Sequence, residues 1–73
     1  MHFETTAEAV RQDRIMSAHM HAHVAAQNLE AEAAGLVATF NQGIRPTAAR
    51  VRAVEDAMAK LTENLATIRE LEQ

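Results

Sequence analysis

Every glycine and proline of this chain falls inside one short window: Gly35, Gly43 and Pro46 are its glycines and its proline, and the long stretches on either side contain none. Those stretches are rich in alanine, glutamate, glutamine and arginine, which favour helix, so the chain is restricted to two helices joined by one turn. The segment Asn41-Gln42-Gly43-Ile44-Arg45-Pro46 makes that turn, with a glycine free to take positive φ after a helix and a proline unable to continue one. Thr5-Thr6-Ala7-Glu8 holds Thr and Glu three apart, the spacing of a capping box. Thr47 is a suitable N-cap for the second helix. The expectation is an all-α, single-domain antiparallel hairpin over residues 1–73, with helices near 5–41 and 47–72 and a turn at 42–46.

Periodicity gives each helix a face. In the second, Val51, Val54, Met58, Leu61, Leu65 and Ile68 alternate spacings of three and four, and Arg52, Glu55, Asp56, Glu63 and Arg69 lie opposite. The first offers a matching seam at Ile15, Ala18, Ala22, Ala25, Leu29, Leu36 and Phe40, with Ala33 beside it. It also carries a second stripe at Met16, Met20, Val24, Ala31, Ala34, Gly35 and Ala38. One returning helix cannot cover both stripes, and the first helix outruns the second by roughly 16 Å at 1.5 Å per residue. The expected resolution is a homodimer forming a four-helix bundle, the first helices central, with that second stripe as the oligomer interface and Gly35 among alanines permitting close approach.

Size supports the same expectation. A chain of 73 residues buries a small share of its surface and needs help from disulfides, metal or association. No cysteine is present, which removes disulfides and thiolate zinc sites and fits a reducing, cytoplasmic setting. Neither a signal peptide nor a membrane span is readable. The formal charge of -3, with both signs interspersed, argues against binding nucleic acid through the overall field, and with Phe3 and Phe40 as the aromatics there is little to stack on bases.

Two constellations could carry chemistry. Met16, His19, Met20 and His23 stand at i, i+3, i+4 and i+7, on one side of the first helix. His19 and His23, one turn apart, could share Zn, Ni or Cu, with Glu70 or Glu72 brought level by the hairpin as a further ligand or as a partner that orients an imidazole. The same stripe reads more simply as plain packing, or else as a pH-sensitive interface. Arg45, Arg50 and Arg52 surround the start of the second helix, where free backbone N–H groups favour anions such as phosphate, a nucleotide or an acidic protein surface; the alternative is a solvated hairpin tip. Residues 43–54, Gly43-Ile44-Arg45-Pro46-Thr47 through Val51-Arg52-Ala53-Val54, resemble the N-terminal DNA-binding segment of KfrA-type plasmid proteins. The glycine-rich turn that should follow is replaced by Glu55-Asp56-Ala57-Met58, so the resemblance carries no function over.

No Ser-His-Asp or Cys-His arrangement, Gly-rich phosphate loop or Glu-x-x-His pair is present, so a catalytic role and a resident cofactor are not expected. The sequence points instead to a small oligomeric protein-protein interaction module, an adaptor or inhibitor with the form of a phage- or plasmid-type modulator of a host protein. A histidine-based metal or pH sensor is the alternative, and a nucleotide or nucleic-acid binder acting through the basic turn a weaker one.

Overall fold

A computed structural model describes residues 7–73, so the capping box at Thr5 lies outside the described residues. Two helices, α1 (Ala7–Asn41) and α2 (Ala48–Leu71), pack against each other as a hairpin, and no strand occurs among the described residues. The antiparallel sense is fixed at both ends. Near the turn, Arg50 lies against Gly35; at the far end, the Arg11 guanidinium donates to the main-chain oxygens of Leu71 (3.1 Å) and Gln73 (3.0 Å). A helix leaves its last carbonyls without partners and its C-terminus partly negative, so an arginine from the facing helix is well placed there.

The turn follows from its residues. Gly43 adopts φ +72, a conformation in which a Cβ would be strained. This lets Gly43 N–H donate to Phe40 O at 2.9 Å and Ile44 N–H to Thr39 O at 3.2 Å, the paired bonds of a Schellman motif. Thr47, extended at φ -73 and ψ 158, then accepts from Arg50 N–H with its hydroxyl at 3.1 Å and starts α2 as the N-cap.

Between the helices the seam keeps a strict seven-residue period. On α1 it comprises Ile15, Ala22, Leu29 and Leu36 together with Ala18, Ala25, Glu32 and Thr39, all buried or half-buried. The buried members are alanines, Ala18, Ala22 and Ala25, the last only 4% exposed. Phe40, expected in the seam, is 60% exposed: the count of seven from Ala18 arrives at Thr39, and the next residue turns away from the partner helix.

The second helix is rotated relative to the sequence expectation. Val54, Leu61 and Ile68 do face α1, but the other row of the seam is Arg50, Ala57, Asn64 and Leu71, all half-buried. Val51, Met58 and Leu65 stand on its flank, exposed. By the register that sets Gly35 beside Arg50 and His19 beside Glu72, Ala57 stands level with Leu29 and Asn64 with Ala22, so each pair sets a small residue of one helix against a larger one of the other.

Candidate functional site

The hairpin presents three distinct surfaces, and its heptad order says which residues share each. In an antiparallel pair, the residues just outside the seam on one side come from equivalent positions of both helices. Contacts identify the sides. His21, Asn28, Lys60 and Asn64, with Val24 and Ala25, line one shallow recess, and Arg14, Ser17, Asn64 and Thr67, with Ala18 and Leu71, line its continuation, which makes this the more polar flank. On the other side His19 Nε2 lies 3.5 Å from Glu72 Oε2. The positions in register with this pair are Ala26, Ala33 and Phe40 on α1 and Val51, Met58 and Leu65 on α2, and Val37 adjoins them, so this flank is apolar.

The third surface is the outer face of α1. Met20, 68% exposed, points there, with Met16 toward the apolar flank in register with His23 and Val37, and Val24 toward the opposite flank, where it lines the recess with His21, Lys60 and Asn64; Ala31, Ala34 and Ala38 are exposed as well. Gly35 has a different use from the one its place in this stripe suggests. It is half-buried against α2, and a Cβ built on it would sit 2.6 Å from an Arg50 guanidinium nitrogen. Its missing side chain makes room for Arg50 within the chain.

The histidine stripe is split by the hairpin. His19 and His23 are exposed on the apolar flank, and the carboxylate that reaches His19 is Glu72. Glu70 instead lines a recess with Arg11, Arg14 and Val10 on the polar side. Two residues along a helix is a rotation of about 200°, so Glu70 and Glu72 cannot both face the imidazoles. His19, His23 and Glu70 are therefore not brought together within one chain, and among the described residues no group of three or more His, Cys, Asp or Glu is placed to hold a metal ion.

The three arginines diverge as well. Arg50 folds back over Gly35 with a guanidinium nitrogen 4.0 Å from Glu32 Oε1, both side chains partly exposed. Arg52 lines a recess on α2 with Ala48, Ala49, Ala53 and Asp56, and Arg45 is exposed in the turn. One of the free donors at the start of α2 is already taken by Thr47.

The flank row Val51, Met58 and Leu65 is what the sequence reading misplaced, assigning it to the intramolecular seam. The competing row, Arg50, Ala57, Asn64 and Leu71, runs at the same spacing. Comparison with protein-family models, characterised proteins and solved structures gives no match. No helix among the described residues is long and apolar enough to cross a membrane.

Proposed function

We propose that this chain is a non-enzymatic interaction module, a helical hairpin that works as an oligomer and engages another protein through the helix faces the assembly leaves free. One observation carries the reading. Among the described residues nothing larger than alanine is buried, while Met16, Met20, Val24, Val37, Phe40, Met58 and Leu65 are all exposed. A monomer rarely displays that many large apolar side chains without using some of them, and three alanines make a poor core. Pairing hairpins into a four-helix bundle supplies the missing burial without any change in either helix.

Sedimentation equilibrium tests this. The expected result is a species of twice the 8.0 kDa chain mass at micromolar concentration, with thermal stability that rises with protein concentration. A fully helical monomer whose melting temperature is independent of concentration would remove the proposal.

A further inference from the structure

The self-association proposed above leaves open which surface carries it, and the three surfaces differ enough to decide. We infer that a second copy of this chain docks on the apolar flank of Val37, Phe40, Val51, Met58 and Leu65, and not on the outer face of α1. The inference rests on that self-association and assigns it a place.

The first argument is area. A stable dimer buries on the order of 800 Å² from each partner. The apolar flank draws its large exposed side chains from both helices, whereas the outer face is built on α1, with Val24 reaching toward α2.

The second argument is what each surface would bury. Beyond Val24 the apolar members of the outer stripe shrink to Ala31, Ala34 and Ala38, and Asp13, Ser17 and Gln27 interrupt it. Covering it gains little apolar area and strands polar groups. The flank gathers large side chains from both helices, Met58 among them at 53% exposure.

The third argument is self-complementarity. Val51, Met58 and Leu65 recur every seven residues, so they stand in one row symmetric about Met58. An antiparallel second copy sets Met58 on its own equivalent and Val51 on Leu65, as a two-fold interface requires. A parallel copy would oppose Glu55 to Glu55 and Arg69 to Arg69 along the edge of the same row, placing like charges together.

The chain contains no cysteine, so single thiols report without interference. Met58→Cys and Met20→Cys, both at exposed positions, would be prepared in the full chain, checked for helicity by circular dichroism and oxidised, beside sedimentation of the unmodified protein. The expected result is a dimeric parent and a Met58→Cys variant that forms an intermolecular disulfide at least roughly tenfold faster than Met20→Cys, because only thiols held within disulfide reach react this way. A dimeric parent in which Met20→Cys cross-links as fast or faster, or in which neither does, overturns the assignment of the flank and leaves self-association standing. A monomeric parent overturns both.

Discussion

The two flanks of the hairpin come from the same pair of helices, yet one is wet and the other dry. His21, Asn28, Lys60, Asn64 and Thr67 line the first; Val37, Phe40, Val51, Met58 and Leu65 occupy the second. Had α2 been rotated to bury its most apolar row, the dry flank would have vanished into the seam and Asn64 would have been carried to the surface. In the seam Ala57 stands level with Leu29 and Asn64 with Ala22, small against larger, an arrangement that Met58 and Leu65 in the same places would not allow. The hairpin thus gives up burial inside the chain and keeps an apolar face outside it. A more polar surface on one side and large apolar residues on the other is the asymmetry on which the proposed self-association rests.

Charge placed on each flank breaks the comparison most directly. Met58→Glu with Leu65→Glu is expected to weaken self-association by roughly a hundredfold or more, since it buries carboxylates without partners. Lys60→Glu with Thr67→Glu, on the wet flank, should change it by less than about threefold, because those groups stay solvated. Sedimentation at matched concentrations separates the two, and equal effects would erase the distinction between flanks.

A smaller effect is expected from neighbouring alanines. Ala25 is buried in the seam and Ala26, one residue on, is exposed on the dry side. Ala25→Leu should destabilise by about 1–3 kcal/mol through overpacking, whereas Ala26→Leu should leave chain stability within about 0.5 kcal/mol. Urea denaturation at matched, low protein concentration checks both, and a tolerated Ala25→Leu would mean that the helices are not held at alanine distance.

The two glycines should respond with opposite sign. Gly43 at φ +72 requires glycine, and Gly43→Ala should cost about 1 kcal/mol. Gly35 is in a helix interior, where alanine is favoured by about 0.5–1 kcal/mol, and the added methyl meets only the mobile end of Arg50. Displacing that guanidinium gives up a partly exposed contact with Glu32, worth at most about 1 kcal/mol, so Gly35→Ala should be neutral to mildly stabilising. Thermal melts of the two variants suffice.

How much of this the sequence discloses depends on whether one residue or a choice between rows decides the feature. The turn rests on single residues with one conformational use each, Gly43 and Thr47, and the structure puts both in those roles. The α1 seam through Ile15, Ala18, Ala22, Ala25, Leu29 and Leu36 is also visible, because few other apolar residues compete at those positions. Its last turn is not: a period of 3.5 and one of 3.6 separate after three heptads, and the difference moves Phe40 out of the contact. The rotation of α2 is hidden for another reason. Hydrophobicity ranks Val51, Met58 and Leu65 above Arg50, Ala57 and Asn64, whereas the fit of each row against the facing residues of α1 is a property of the pair. The functional surfaces inherit this ambiguity. His19 with Glu72 and Gly35 with Arg50 are contacts between helices, visible only once the rotation is known.

The smallest expected effect lies where the dry flank ends, at His19 and Glu72. Their side chains are 55% and 52% exposed and their nearest atoms 3.5 Å apart. A pair this open and this long is worth less than about 1 kcal/mol in a solvated hairpin. A double-mutant cycle with His19→Ala and Glu72→Ala, read at concentrations below and above the association midpoint, measures the coupling in the separate hairpin and in the assembly. If the apolar flank closes on a second copy, water leaves this margin and the coupling should grow with concentration, since the same two groups interact more strongly in a poorer solvent. A coupling that stays small and constant would place the pair at the wet rim of the interface, and the dry surface would then run from Leu65 toward the turn rather than along the full length of α2.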